Sequence, residues 1–256
     1  MKNKKTIIII LLVLVAYLVL MVILFGSEKV KDKFYNMDIM LSSGAKWHLE
    51  DGIWTDIKDE KNYNWKKFNV YVDNQLLGNY NLLYNKKWYV YDDEKNLIDY
   101  DGTIVGIKGN KKFKLINFDK SNFDSSGENI LKSILKKENI DFTNNFQGIK
   151  ITIDIDGDAK EEIIYTASNA FVEDQNITHR YSIIFIKDDE TKIIYQDYQD
   201  ASMKYSMCVP KINTIIDLDE DSKYELITEC NYYSIMGTCT SLYEIKDDNY
   251  RLVKGC

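Results

Sequence analysis

The segment Ile151-Thr-Ile-Asp-Ile-Asp-Gly-Asp-Ala-Lys-Glu-Glu-Ile-Ile164 places an acidic loop between two short apolar runs. The same arrangement recurs in Thr214-Ile-Ile-Asp-Leu-Asp-Glu-Asp-Ser-Lys-Tyr-Glu-Leu-Ile227, which begins 63 residues later. The apolar runs are short, β-branched and without a helical period, so they predict strands on both sides of each loop. A repeat of this length indicates duplicated structural units, each built around one acidic loop.

The carboxylates of each loop stand at positions 1, 3, 5 and 9, a spacing that lets them converge on one point. Like charges held so close repel one another unless a hard cation lies among them, and Ca²⁺ accepts six to eight oxygen ligands. The alternative is a pair of solvated hairpin turns, because Asp also favours turns through local hydrogen bonding. The candidate ligands are Asp154, Asp156, Asp158 and Glu162 in the first loop, and Asp217, Asp219, Asp221 and Glu225 in the second.

Neither loop is an EF-hand, because an EF-hand has Gly at position 6 and an acidic residue at position 12. The first loop has Ala159 and Tyr165 there. The spacing instead resembles the calcium loops of integrin-like repeats, the FG-GAP and VCBS families, whose consensus is Asp-x-Asp-x-Asp-Gly-x-x-Asp between strands. This resemblance covers about residues 149–230.

The resemblance implies Ca²⁺ as the cofactor of the first loop, and of the second loop if that copy is still functional. It also implies that the backbone carbonyls of Lys160 and Lys223 join the side-chain ligands. Both loops depart from the consensus in two ways. Glu replaces the final Asp, and Ala159 and Ser222 stand where the consensus has Gly.

Residues 6–25 are predicted to form a transmembrane anchor. The run from Ile7 to Phe25 contains 19 residues that are apolar or Tyr, enough to cross a bilayer as a helix. Lysines precede the run, so the positive-inside rule places residues 1–5 in the cytoplasm and the bulk of the chain outside the cell membrane. A cleaved signal peptide is the alternative, although its apolar region is usually only about 7–15 residues long. Residues 26–46 are predicted to be a polar stalk.

The charge balance argues against nucleic acid as a partner. The chain has 33 basic and 40 acidic residues, a net charge of −7, and without the three N-terminal lysines the part predicted to lie outside carries −10. Nucleic-acid binding requires a basic face, whereas an acidic domain suits cations. The single proline and the abundance of Lys, Ile, Asn and Tyr suggest A/T-rich bacterial coding, and therefore a bacterial surface protein.

All four cysteines lie near the C-terminus, and an even number outside a membrane predicts two disulfides. Zinc is the competing interpretation, but the chain has no Cys-x-x-Cys pair. If residues 247–248 form a two-residue turn, Lys246 faces Asn249 and position 239 faces position 256. A shift of one residue in the register would remove this argument. The pairing it favours is Cys208–Cys230 with Cys239–Cys256.

The predicted fold is mainly β, with antiparallel sheets that form either propeller-like blades or a sandwich. Alternating aromatic residues predict an N-terminal β unit at 47–124, and residues 147–256 form a calcium-loop β unit that contains the cysteines. Between them, residues 125–139 form one helix, since Ser125 and Glu128 resemble a capping box before an apolar face. That face consists of Ile130, Leu131, Ile134 and Leu135.

The predicted function is binding rather than catalysis. No nucleophile elbow, metalloprotease or phosphate-binding motif is recognisable, and the adjacent Glu161 and Glu162 would point to opposite faces of a strand. We expect a membrane-anchored, Ca²⁺-stabilised binding, adhesion or scaffold protein with an unknown protein or glycan ligand. The alternative is a cell-wall or carbohydrate-binding protein, or a carbohydrate-active enzyme, that uses its tryptophans to stack on sugars. Those tryptophans are Trp47, Trp54, Trp65 and Trp88. The commoner role of tryptophan is packing in the core, which is the competing interpretation.

Overall fold

The computed structural model describes residues 36–50, 53–73, 75–100, 102–109, 113–116, 118–173, 177–203, 207–218, 221–232, 238–246 and 249–255. Within these residues the chain is mainly β and contains one α-helix, α1 (Ser125–Lys137), and a 3-10 turn at Glu60–Tyr63. The strands are β1 Met37–Leu41, β2 Lys46–Glu50, β3 Ile53–Asp56, β4 Lys66–Val72, β5 Gln75–Asn85, β6 Lys87–Tyr91, β7 Ile104–Lys108, β8 Lys114–Leu115, β9 Lys120–Asn122, β10 Gln147–Ile153, β11 Glu162–Ser168, β12 His179–Lys187, β13 Thr191–Asp200, β14 Cys208–Asp217, β15 Glu225–Tyr232, β16 Thr238–Lys246 and β17 Asn249–Lys254.

The strands form three antiparallel sheets, as the sequence predicted. The first sheet has the order β3-β2-β1-β7-β4-β5-β6, the second β13-β12-β11-β10-β9, and the third β17-β16-β15-β14-β8. The second and third sheets have the same design, a meander of four consecutive strands with one short strand added beside its first member. Each acidic loop connects the first two strands of its meander, so the repeat in the sequence corresponds to a repeat of structure.

The third sheet packs against both of the others. One buried cluster joins it to the first sheet, where Ile39 and Trp47 pack with Ile216 and Leu242. A second cluster joins its other face to the second sheet, and contains Ile164 together with residues of β14 and β15. Burial of large apolar side chains at about 1.5–3 kcal/mol each makes both interfaces strongly stabilising.

Helix α1 covers the outer face of the second sheet. Leu131, Ile134 and Leu135 are buried there, and Ile130 packs at the edge of the same cluster, which confirms the predicted apolar face. The predicted cap was wrong by one residue. Asp124 is the N-cap, and its carboxylate accepts a hydrogen bond from the N–H of Gly127 at 2.9 Å. Asp is as good an N-cap as Ser, so the local pattern did not distinguish the two.

The segment predicted to be a stalk contributes a central strand instead. All five residues of β1 are buried, and β1 pairs with β2 on one side and β7 on the other. A strand buried on both faces shows no alternation of polar and apolar residues, which is why the pattern after the predicted anchor did not reveal it. The rest of the predicted stalk that precedes residue 36 lies outside the described residues.

The predicted anchor at 6–25 also lies outside the described residues. Among the residues that are described, no helix is both long enough and apolar enough to cross a membrane.

Cys208 and Cys230 form a disulfide between β14 and β15, as predicted, with their Cα atoms 5.1 Å apart. Cys239 is also disulfide-bonded, and its predicted partner, Cys256, lies outside the described residues. Lys246 does pair with Asn249, but a bulge follows, so that Leu242 pairs with Lys254. The register argument for the second disulfide was therefore wrong, because the bulge shifts the pairing by one residue.

Candidate metal centre

The first acidic loop joins β10 to β11, which are neighbours in the second sheet. These strands pair as far as Ile153 and Glu162, so the loop closes directly onto Glu162. Asp154 accepts hydrogen bonds from the backbone N–H groups of Gly157 at 2.8 Å and Ala159 at 3.1 Å. The loop is therefore folded around its first carboxylate.

Glu162 is the buried acid of this loop, with only 4% of its surface exposed. Its Oε2 accepts a hydrogen bond from the N–H of Ile155 at 2.9 Å. Burial raises the pKa of Glu162, the Ile155 bond opposes that effect, and the charges of Asp156, Asp188 and Asp158 raise the pKa further. A buried carboxylate that has other carboxylates nearby requires a compensating proton or cation.

Three of the predicted ligands converge. Asp154, Asp156 and Glu162 each offer one oxygen, and these oxygens lie within 4.8 Å of one another. In the part of the chain that the structure describes, this is the one group of three or more His, Cys, Asp or Glu residues with that geometry. Asp158 lies outside the group, because its carboxylate accepts the backbone N–H of Lys160 at 2.8 Å and pairs with the Lys160 ammonium at 3.2 Å. A ligand role for the Lys160 carbonyl stays a prediction.

The second acidic loop repeats the buried acid of the first. Glu225 is 5% exposed, and its Oε2 accepts a hydrogen bond from the N–H of Leu218 at 2.7 Å. This is the same seven-residue relation that joins Glu162 to Ile155 in the first loop. The two loops therefore close onto their ninth residue in the same way.

The remaining hydrogen bonds of the second loop also match those of the first. Asp217 accepts from the N–H of Ser222 at 3.3 Å, and Asp221 accepts from the N–H of Lys223 at 2.8 Å. Asp219 lies outside the described residues, so the ligand set of the second loop stays a prediction.

Position 6 of each loop adopts the left-handed backbone conformation. Ala159 and Ser222 both have φ of 70°, although both carry a Cβ. For L-residues this conformation costs roughly 1–2 kcal/mol, which explains why the resembling families use Gly at this position. Both loops therefore hold a left-handed residue at position 6 without a glycine.

The two loops touch each other across the interface between the second and third sheets. The N–H of Tyr224 donates a hydrogen bond to the carbonyl of Ile155 at 2.9 Å. Gly157 approaches the other loop so closely that an added Cβ would lie 2.5 Å from the carbonyl oxygen of Ser222. The acidic loops are therefore part of the packing between two sheets, not separate surface turns.

A small cavity of about 20 Å³ adjoins the acid cluster. Asp156 and Glu162 line it together with three residues that the sequence did not indicate: Asp188, Lys192 and Tyr250. Asp188 follows β12, Lys192 lies in β13, and Tyr250 lies in β17 of the third sheet. The acidic run at 188–190 was visible in the sequence, but nothing in its spacing relates it to the loop.

A larger cleft of about 490 Å³ lies between the first and third sheets, which is the size of a small-ligand site. Its walls carry charged and hydroxyl side chains. Lys46 is paired with Glu60 at 2.9 Å, and Lys254 with Asp56 at 2.7 Å. Lys86 also lines the cleft, which therefore offers both hydrogen-bonding and cationic groups.

The four tryptophans divide between core and surface. Trp47 and Trp88 are buried, and Trp54 is half-buried with its indole N–H donating to Glu244 at 3.1 Å. Trp65 is different, since it is 44% exposed and its ring centroid lies 5.1 Å from that of Tyr91. The core interpretation is confirmed for Trp47 and Trp88, and Trp54 packs at the edge of the same core cluster as Trp47.

Comparisons with protein-family models, with curated proteins and with solved structures found no match to this chain.

Proposed function

We propose that this protein is a membrane-anchored, extracytoplasmic binding or scaffold protein whose repeated β units are stabilised by Ca²⁺ at the first acidic loop. The observation that carries the proposal is the convergence of Asp154 and Asp156 on the buried Glu162, each offering one carboxylate oxygen within 4.8 Å of the others. Carboxylate oxygens in this arrangement suit a hard divalent cation. The repeated four-stranded units support kinship with the calcium-loop repeat families, in which they would correspond to blades.

In this proposal Ca²⁺ has a structural role. Neutralising the clustered acids favours the closed form of the loop, and the loop packs against the third sheet. Binding would therefore stabilise the interface between two sheets and leave the polar cleft on the other side of the third sheet for a ligand. The anchor at 6–25 and the location outside the cell membrane are part of the same proposal.

The test is thermal unfolding of the full-length chain in 10 mM Ca²⁺, in 10 mM Mg²⁺ and in chelator. Extracellular calcium sites commonly have Kd of about 10⁻⁴–10⁻³ M. At 10 mM Ca²⁺ such a site contributes about 1.4–2.7 kcal/mol to folding, which raises Tm by roughly 3–10 °C for a domain of about 200 residues. Equal melting temperatures in Ca²⁺ and chelator would overturn the proposal.

Glu162→Gln should abolish the Ca²⁺ response, since it removes the buried charge and keeps the shape of the side chain. Glu161→Gln is the matched control, because Glu161 is the exposed neighbour and loses the same charge. The control should respond to Ca²⁺ as the unmodified chain does. A full Ca²⁺ response in Glu162→Gln would exclude Glu162 as a ligand.

A second candidate function is saccharide binding at the outer face of the first sheet. Its supporting observation is Trp65, which holds a backbone φ of 61° that is unusual for a bulky residue and exposes its ring beside Tyr91. The Lys95 ammonium lies 5.4 Å from the centroid of the Trp65 ring, so the part of the ring that Lys95 and Tyr91 leave open is what could stack on a sugar. Trp65→Ala should abolish retention of the folded protein on insoluble cell-wall glycan, while unchanged retention would count against this candidate. Trp88 does not serve as a test, because it is buried and its loss would unfold the sheet.

A further inference from the structure

The cleft between the first and third sheets is formed by parts of the chain that are far apart in sequence. Its walls come from the β1–β2 turn, from the ends of β3 and β5, and from the open end of the β16–β17 hairpin. The hydroxyls of Ser43 and Thr240 are hydrogen-bonded at 2.7 Å across it, and Thr240 is buried. Cys239, which is disulfide-bonded, lies beside Thr240 in the same wall. The two walls are therefore fixed to each other before any ligand arrives, which lowers the entropic cost of binding.

The charge of this cleft is opposite to that of the chain. Lys46, Lys86 and Lys254 line it, and Asp56 is the one acid among the described lining residues, so the formal charge is +2. Glu60 pairs with Lys46 from outside the lining, and counting it still leaves +1. The whole chain carries −7. A concave surface with an excess of positive charge in an acidic protein attracts anions selectively.

Two of the three lysines are built into the walls. The side chains of Lys46 and Lys254 are each only 21% exposed, whereas lysine side chains are mostly exposed in proteins. The Lys46 ammonium donates to Glu60 at 2.9 Å and lies 4.7 Å from the centroid of the Tyr84 ring. The Lys254 ammonium donates to Asp56 at 2.7 Å. An ammonium has three donors, so each of these groups has two N–H bonds without an acceptor in the described part of the chain.

Lys86 supplies the positive charge that no acid balances. It is the exposed residue between β5 and β6, and it forms no ion pair with any described residue. The next residue, Lys87, is also exposed but lies outside the cleft, with its ammonium 5.0 Å from the centroid of the Tyr89 ring. The two neighbouring lysines thus differ in whether they can meet a ligand in the cleft.

Hydroxyl groups line the cleft beside the ammonium groups. They belong to Ser43, Tyr84, Thr238 and Thr240. A hydroxyl both donates and accepts hydrogen bonds, whereas an ammonium only donates. A neutral sugar would leave the ammonium groups without an anionic partner, and a simple carboxylate would leave the hydroxyls unused. The volume of about 490 Å³ lies in the range of small-ligand sites.

We propose that this cleft binds a sugar acid, an anionic saccharide unit that carries both a carboxylate and several hydroxyl groups. The lysines bind the carboxylate, and the Ser, Thr and Tyr hydroxyls exchange hydrogen bonds with the hydroxyls of the ring. The inference rests on the binding role in the proposed function, for which it names the ligand class and the site. It does not depend on Ca²⁺ at the first acidic loop, and it concerns a different surface from the one around Trp65.

The experiment is a ligand-detected NMR titration of the full-length chain with glucuronate, glucose and acetate in 10 mM Ca²⁺. Glucose has the hydroxyls without the carboxylate, and acetate has the carboxylate without the hydroxyls. Glucuronate should bind at least about tenfold more tightly than either, because hydrogen bonds to charged groups are stronger than neutral ones and the hydroxyls add to them. Equal binding of glucose or of acetate would overturn the proposed ligand class.

Three substitutions locate the site. Lys254→Gln should weaken glucuronate binding by about tenfold, and the variant should fold because its partner Asp56 is 64% exposed and can be hydrated instead. Lys86→Gln should weaken binding by about three- to fivefold, as expected for an exposed ion pair. Lys87→Gln is the matched control, since it loses the same charge outside the cleft, and it should bind as the unmodified chain does. The Tm of each variant establishes that it folds.

The outcomes separate this inference from the proposed function. If glucuronate does not bind while Ca²⁺ raises Tm, the cleft assignment fails and the Ca²⁺-stabilised scaffold stands. If glucuronate binds but Lys254→Gln and Lys86→Gln weaken it no more than Lys87→Gln, the binding lies outside the cleft and the inference is wrong. If glucuronate binds as expected while Tm is the same in Ca²⁺ and chelator, the cleft assignment stands and the proposed role of Ca²⁺ fails.

Discussion

Gly157→Ala tests whether the two acidic loops pack as the structure describes. Gly157 has φ of 77°, so Ala there incurs the left-handed penalty of roughly 1–2 kcal/mol. The new Cβ would also lie 2.5 Å from the Ser222 carbonyl oxygen and 3.2 Å from the Ser222 Cβ. Both partners belong to a loop fixed by hydrogen bonds, so the overlap forces the two sheets apart. Overpacking of this kind costs about 1–3 kcal/mol, which brings the expected loss to roughly 2–5 kcal/mol.

Gly44→Ala is the matched control for this substitution. Gly44 also has a positive φ, 93°, but an added Cβ would meet nothing within 4 Å. The control should therefore lose only the conformational penalty of roughly 1–2 kcal/mol. The free energy of unfolding of both variants is measured by urea denaturation in chelator, so that Ca²⁺ binding does not contribute. Equal losses in the two variants would refute the contact between the loops, and with it the argument that the first loop is part of the sheet interface.

Two further predictions concern the cap of α1 and the disulfide. The pKa of Asp124 is lowered to about 2, chiefly by the hydrogen bond from Lys150. The negative charge of Asp124 therefore stabilises the fold fully above pH 3.8, and this stabilisation is lost as the pH falls through 2. Asp124→Asn keeps a good N-cap and removes the charge. Because solvent screens this partly exposed carboxylate, the substitution should lower the free energy of unfolding by about 1 kcal/mol at pH 6. In urea denaturation the difference from the unmodified chain should shrink between pH 4 and 2, whereas a constant difference would exclude the charge as its cause. Replacing Cys208 and Cys230 together by Ala opens a loop of 22 residues and should cost about 3 kcal/mol in non-reducing urea denaturation. A loss below 1 kcal/mol would show that this bond does not restrain the unfolded chain.

The sequence predicted the C-terminal part of the fold well, because its strands are short apolar runs separated by turns rich in Asp, Asn and Gly. The strands predicted on both sides of each acidic loop are present. The N-terminal part was harder to predict. Strand β1 is buried on both faces and carries no alternation, and β8 and β9 are only two and three residues long. Such elements are defined by the strands they pair with, not by their own residues.

The sequence predicted only part of the candidate site, because local spacing does not show which groups compete for each side chain. Asp158 fits the motif as well as Asp156 does, yet its carboxylate is taken by Lys160, a local competition that spacing does not reveal. The register used to favour the Cys239–Cys256 pairing could not be predicted by counting back from the last hairpin, because one bulge in β17 shifts it by one residue. Bulges depend on how strands twist against their neighbours.

The sequence by itself predicted that the four acids of the first loop would converge, and this holds for Asp154, Asp156 and Glu162. A nine-residue loop between adjacent antiparallel strands has few possible paths, so its acids lie near one another. Only the tertiary structure decided that Asp188, Lys192 and Tyr250 face the same cavity and that the two acidic loops touch. Those contacts join separate hairpins and separate sheets, and they follow from the way large apolar faces pack rather than from any local spacing of charges.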